Sequence, residues 1–361
     1  MKYSLLLLLT IVLSSTAAQD LNDQLGLIRR KHHLPGLSFV VVNPQSMLRS
    51  ACDGYVSLAD SMPLTLGAAF HLGSNSKAIT SLVAHQLVSQ GKISWTTTIA
   101  EVFPEWRQKM QAAYRKVTLA DLLSHRGRLS AYTDGATASP WYFCNEGPAC
   151  RQEFSRQILQ TKPLDKARKN KYQYSNAGYV VASAMLERRS DNLSFEHMVN
   201  LYVNQLLESN FQLGWPRSTG KEGAAVGHFY RDSLFIAADE TAYQLGPVYA
   251  AAGNLHGTIK EQAALLQFFL QAYSHPTKKM SRADAELLLF GRPDYAFGWG
   301  HSLQNGKRKA WHDGSAGTFY TRWIIYPDQL MAIAISSNSA GAPTLAAIKE
   351  LQALLESSFN L

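Results

Sequence analysis

Strongly β-forming runs stand at both ends of this 361-residue chain, and a long, mostly helical stretch separates them. Leu37–Val42 is a strongly β-forming run, and Ser50–Val56 reads as its neighbour across a turn at Asn43–Gln45. Phe319–Tyr326 and Met331–Ser336 form a second pair around Pro327-Asp328. Sequential hairpins favour an antiparallel sheet. Leu21, Leu25 and Ile28 mark an apolar helix stripe ended by Pro35-Gly36, and Leu345, Ile348, Leu351 and Leu355 mark a second helix over Thr344–Phe359. The middle, about 93–287, is mixed and mostly helical, with loops around Gly127–Tyr142 and Ser218–Thr241. The expected fold is therefore α+β, an α/β sandwich. An antiparallel sheet is flanked by N- and C-terminal helices, with a mostly helical domain inserted. The sheet lobe takes about 19–65 plus 291–361, and the helical lobe about 66–290. A cleft between two such lobes is a natural place for a site.

With 46% hydrophobic and 17% charged residues, the chain is neither disordered nor collagen-like. The net charge is +8, but no run of five basic residues occurs, and the densest cluster is Lys166–Lys171. A nucleic-acid partner is not expected. Lys2, the apolar stretch Leu5–Leu13 and the small residues Ser15-Thr16-Ala17-Ala18 read as a cleaved signal peptide over residues 1–18, so residues 19–361 would form the exported mature chain. The expected location is the periplasm or beyond the cell, with no membrane span in the mature chain. Cys144 and Cys150 bracket a turn-rich loop and form the candidate disulfide, with Cys52 read as a small buried hydrophobe. No zinc pattern occurs, and no metal or organic cofactor is expected.

The strongest chemical signal is Ser74-Asn75-Ser76-Lys77 at a helix start extending to about Gln90. One helical turn puts Ser74 and Lys77 on the same face. A serine hydroxyl needs a base, and a lysine serves when burial or a nearby cation lowers its pKa. Alone the pattern is weak, since a capping Ser with a solvated Lys looks the same. Tyr174-Ser175-Asn176 adds a phenol that can move a proton and an amide that can hold a carbonyl. His312-Asp313-Gly314-Ser315 opens a C-terminal β run; Gly314 would admit a substrate close to the strand, and the Ser315 N–H could join that of Ser74 as an oxyanion hole.

Order and spacing together resemble the penicillin-recognising serine hydrolase superfamily, most closely its class C β-lactamase and DD-peptidase branch, which includes family VIII carboxylesterases. That family carries SxxK, YxN and a KTG or HxG strand. Phe70-His71-Leu72-Gly73, Val117–His125, Ala251–Thr258 and Tyr295–Gly300 resemble further family segments, so the likeness spans the whole mature chain. The resemblance implies a β-lactamase/transpeptidase-like fold, Ser74 as acylated nucleophile, and Lys77 and Tyr174 as the acid–base pair. It implies substrate binding by Asn176 and by the strand residues His312, Asp313 and Gly314, and oxyanion binding by the Ser74 and Ser315 amides. His125 is read as structural rather than as part of a serine triad, and Lys31-His32-His33 as a solvated helix end.

The expected activity is an exported serine hydrolase acting on amides of D-peptide or β-lactam type, on a small molecule or a peptidoglycan-derived peptide. A carboxylesterase on the same scaffold is the alternative, and a non-catalytic binding or sensor protein the third reading. Asp313 stands where relatives usually have Thr. If it faced the cleft, it would repel a substrate carboxylate by about 4 kcal/mol at about 4 Å and an effective dielectric of about 20. If it alternated to the other sheet face, it would not.

Overall fold

The computed structural model describes residues 21–59, 62–134, 141, 144, 146–165, 170–219, 223–239, 244–304 and 306–361. The segment read as a signal peptide and residues 166–169 of the basic cluster lie outside these. The longer helices are α1 (21–31), α2 (Ser76–Ser89), α3 (Gly147–Ile158), α4 (Asn176–Arg189), α5 (Ile259–Ser274) and α6 (Ala342–Ser358). Six strands form one antiparallel sheet: β1 (Gly36–Val42), β2 (Met47–Gly54), β3 (Gly300–Gln304), β4 (Lys307–Ser315), β5 (Tyr320–Tyr326) and β6 (Met331–Ser337), in the order β2-β1-β6-β5-β4-β3. The two chain ends meet where β1 pairs β6, from Leu37↔Ser337 to Val42↔Ala332.

All seven residues of β1 are buried, which explains why its sequence, Ser38 apart, lacks polar alternation. Successive side chains face opposite sides of a sheet. Phe39 and Val41 therefore pack with Ile333, Ile335, Ile348 and Leu351 under α1 and α6, while Val40 and Val42 join the larger core with Ile79, Val83 and Leu266. Lys31 and His32 reach across from α1 to Glu350 of α6, at 2.9 and 2.8 Å. The helix end read as solvated thus ties the two terminal helices together. Among the described residues, no helix is long and apolar enough to cross a membrane.

The stretch read as a loop from Ser218 to Thr241 contains a hairpin, His228–Arg231 with Leu234–Ala237. Asp232 and Ser233 both take positive φ, which matches the right-handed strand twist of a two-residue hairpin turn. Strand β4 also starts earlier than expected and pairs with β3 as well as β5. Cys144 and Cys150 are joined as a disulfide, with Cα atoms 6.0 Å apart. Cys52 is only half-buried, and its Sγ–H donates to Leu64 O.

A buried ion cluster joins α3 to α4. Arg151, on α3, has no exposed side-chain surface; it donates to Glu187 Oε1 on α4 at 2.6 Å and to Glu196 Oε1 at 2.8 Å. Arg151→Met leaves Glu187 buried without its counter-ion. It should lower unfolding free energy by about 3–5 kcal/mol in chemical denaturation; a loss under about 1 kcal/mol would show that Glu187 finds other solvation.

Candidate active site

Ser74 lies in a 3-10 turn, Gly73–Asn75, immediately before α2 rather than in the α-helix itself. The turn is built tightly. Gly73 takes φ +50, and its N–H donates to His71 Nδ1 at 3.1 Å; Ser76 Oγ donates back to Gly73 O at 2.7 Å. His71 is itself held through Nε2 by Asn254 Oδ1 at 3.0 Å, and burial pushes its pKa down to about 3, so the ring is neutral and Nδ1 stays an acceptor.

Lys77 is completely buried on the first turn of α2. Its Nζ lies 3.1 Å from Ser74 Oγ and 2.7 Å from Asn176 Oδ1, and it donates to Ala252 O. Burial pushes the ammonium well below the ordinary lysine range. A neutral amine has two N–H bonds, which suit the two carbonyl oxygens, and one lone pair, which is left for the Ser74 hydroxyl. Tyr174 O–H donates to Ser74 Oγ at 2.7 Å. Burial raises the Tyr174 pKa, so the group rests as a phenol, and its ring lies 4.7 Å from Lys77 Nζ. Asn176 opens α4 and is fixed by Nδ2 donating to Tyr132 O at 2.9 Å. Ser74, Lys77, Tyr174 and Asn176 thus converge although about a hundred residues separate the two motifs.

The third motif is divided by strand alternation. His312 faces the nucleophile turn but is enclosed. Nδ1–H is shared between Asp313 O at 2.8 Å and Asn75 Oδ1 at 3.1 Å, and Nε2 accepts from Tyr295 O–H at 2.9 Å. Burial lowers its pKa to about 3. Its ring braces the turn and does not line the cleft. Asp313 does not face Ser74 either. It points to the other side of the sheet, where Arg322 grips both carboxylate oxygens at 2.6 and 2.8 Å and also reaches Gln352 on α6. Its charge therefore cannot repel a substrate in the cleft. Gly314 serves backbone packing rather than substrate approach, since an added Cβ would lie 1.9 Å from Leu72 O. Ser315 borders the cleft, and its amide nitrogen lies against Gly73.

The cleft has a volume of about 260 Å³. Besides Ser74, Asn176 and Ser315, its walls include Tyr132, Leu245 and Tyr249. Among the described residues, no cluster of three His, Cys, Asp or Glu side chains converges as metal ligands.

His125 has a closer relation to the site than its reading as a structural residue suggests. Its carbonyl accepts from Gln173 N–H at 2.8 Å, and its Nδ1 accepts from Ser175 N–H at 3.0 Å. Both neighbours of Tyr174 are held by this one residue, and the imidazole lies 4.3 Å from the Tyr174 ring. Burial keeps the ring neutral, so the Nδ1 lone pair stays available. The backbone of His125 takes φ +58, which Asn tolerates better than most residues. The signal was present in Ser124-His125, but neither this clamp nor the turn-holding role of His71 follows from local sequence. His125→Leu should slow acylation of Ser74 about 10–100-fold by releasing Tyr174, whereas His125→Asn, which keeps an acceptor, should recover most of the rate. Stopped-flow labelling with a serine-reactive phosphonate, beside melting curves, checks this; equal rates in the two variants would remove the clamp from the mechanism.

A Beta-lactamase family profile matches residues 16–356. Unguisins hydrolase ungD' of Aspergillus campestris is 23% identical over 342 residues, covering 89% of this chain and 61% of its own. Penicillin-binding protein 4 of Amycolatopsis lactamdurans is 24% identical over 340 residues, covering 89% and 85%. The octameric penicillin-binding protein homologue from Pyrococcus abyssi superposes with a TM-score of 0.73 at 18% identity, over 93% of this chain and 77% of that one, a likeness of fold. With its profile matched along nearly all its length, and with that fold, the chain belongs to the Beta-lactamase family.

Proposed function

We propose that this protein is an exported serine hydrolase that forms an acyl-enzyme on Ser74. The observation that carries this reading is the placement of Ser74 Oγ 3.1 Å from a buried lysine amine and 2.7 Å from a buried phenol. Members of the family are serine hydrolases acting on amides or esters, which supports the reaction class. The disulfide Cys144–Cys150 suits an oxidising compartment, in keeping with the signal-like residues 1–18.

In this mechanism the neutral Lys77 amine takes the Ser74 proton as Oγ bonds the substrate carbonyl carbon. The carbonyl oxygen becomes an oxyanion between the Ser74 and Ser315 amides, where backbone dipoles stabilise developing charge. Collapse breaks the bond to the leaving amine or alcohol. Tyr174 gives that group its proton and regains one from the Lys77 ammonium. Water then enters the vacated position and bonds the acyl carbon as the pair takes its proton; the bond to Ser74 Oγ breaks, Oγ receives that proton back, and the acid leaves. Asn176 both accepts from Lys77 and faces the cleft, so it orients base and substrate together.

Amides of D-peptide or β-lactam type are the first substrate class, in line with the YxN motif. A second reading, ester cleavage, gains support from the cleft wall. Among its described residues none carries a charge at pH 7, and Asp313 and His312 are turned away or enclosed, so none of them offers a cation to a substrate carboxylate. Neutral aryl esters or amidated D-peptides should therefore react at least about tenfold faster in kcat/KM than partners with a free carboxylate beside the scissile bond. A preference for the carboxylate would sink the neutral-cleft reading and leave the nucleophile assignment intact.

Ser74→Ala should abolish turnover, by at least about a thousandfold, with an unchanged melting temperature; intact-mass analysis after incubation with penicillin or a phosphonate should show an adduct on the parent chain alone. Full residual activity would end the Ser74 assignment. The pH dependence follows from Lys77. The amine must be neutral to act, and burial lowers its pKa, so acylation should rise with pH and level off well before the ordinary lysine value of 10.5. A rate still climbing near that value would mean that Lys77 is not the base.

A further inference from the structure

The positive charge of this chain is concentrated. Residues 107–128 hold six Lys or Arg against Asp121 alone, and residues 162–171 hold five against Asp165 alone. These surpluses of five and four compare with +8 for the entire chain, so the remainder is close to neutral. Their described parts touch at Leu164 and Arg128. Leu164 N–H donates to Arg128 O at 3.0 Å, and Arg128 Nε donates to Leu164 O at 2.8 Å. Beside this contact is a groove of about 470 Å³, separate from the Ser74 cleft, lined by Lys116, Arg126, Arg128, Asn170 and Val117, with Asp121 as its one described acid.

The guanidinium groups in this wall are preset. Arg126 donates to Ser124 O at 2.7 Å, to Tyr295 O at 3.1 Å and to Pro293 O, and Arg128 donates to Leu164 O. These partners are neutral carbonyls, so the bonds orient the groups without cancelling their charge. Asp121 and Asp294 are the acids whose field reaches Arg126, and Arg292 opposes them. Lys116 stands exposed at the edge. A clustered surplus of this kind attracts polyanions, and fixed guanidinium forks suit carboxylate, sulfate or phosphate oxygens.

We propose that this groove binds a strand of an anionic polysaccharide. The shape favours a chain over a planar surface: Arg126 is only 9% exposed, so a flat layer of lipid headgroups would reach Lys116 but not the recessed guanidinium. The lining favours a glycan over single-stranded nucleic acid, which is usually held on aromatic stacking platforms; the groove wall has alanines and a valine where such platforms would stand.

The test compares two variants with equal charge change on the full chain. Lys116→Glu/Lys162→Glu/Lys171→Glu alters exposed cations of the two segments. Lys278→Glu/Lys279→Glu/Lys307→Glu alters exposed cations elsewhere. Size-fractionated heparin is the sulfated-glycan probe, titrated over a range of salt, with anionic phospholipid vesicles and an oligodeoxythymidylate as the other arms. The groove variant should bind heparin at least about tenfold more weakly and with a shallower salt dependence, while the control variant stays within about twofold of the parent. Both should hydrolyse a small neutral ester at the parental rate, which shows that each is folded. Equal weakening in the two variants, no heparin binding by the parent, or tighter binding to vesicles or to the oligonucleotide would each overturn the proposal.

Discussion

Backbone-to-backbone packing of the nucleophile turn on strand β4 is the contact on which the site depends. It exists only because both partners are glycines at the point of approach. A Cβ on Gly314 would lie 1.9 Å from Leu72 O, and one on Gly73 would lie 2.4 Å from Ser315 N. The result sets the amide of Ser315 beside the turn that carries Ser74. The same packing explains the enclosed His312. It sits on the turn-facing side of β4, where it bonds Asn75 and Tyr295 and so stiffens the approach instead of addressing a ligand.

The second constraint is the desolvation of Lys77. Helix α2 is buried on nearly every side, with Ile79, Leu82 and Val83 fully enclosed and Lys77 without exposed surface. An isolated cation there would be costly, and burial lowers the Lys77 pKa in favour of the neutral amine. Burial of Tyr174 acts in the opposite sense on the proton count and keeps the phenol protonated. Two groups, both driven to neutrality, then share one hydroxyl: one can accept its proton and the other donates to its oxygen. The arrangement stores unfavourable desolvation in the core, and the buried hydrogen bonds to Asn176 and Ala252 offset part of it.

Much of this fold was legible because its signals are local. The β-forming run of β1, the turn at Pro327-Asp328 and the stripe of α6 each appear within a short window, and the structure places strands and helix within a few residues of those limits. The hairpin at His228–Ala237 was not read, because its turn residues Asp232 and Ser233 lack the glycine that usually marks such turns. The SxxK and YxN residues were visible as candidates, but their convergence rests on contacts between residues about a hundred positions apart. The role of His125 was not legible because its two bonds go to backbone amides, which leave no mark on residue type.

The sequence by itself determined that strand-forming runs stand at both ends of the chain, that Ser74 and Lys77 would stand one turn apart, and that two cysteines six positions apart could be joined. These follow from periodicity and spacing, which act along the chain. Only the tertiary structure decided that burial disfavours the Lys77 ammonium, that Asp313 is drawn to Arg322 on the far side of the sheet, and that Lys116, Arg126 and Arg128 line one groove. Desolvation, strand register and summed electrostatic field depend on which distant residues come together, and no window of sequence contains them.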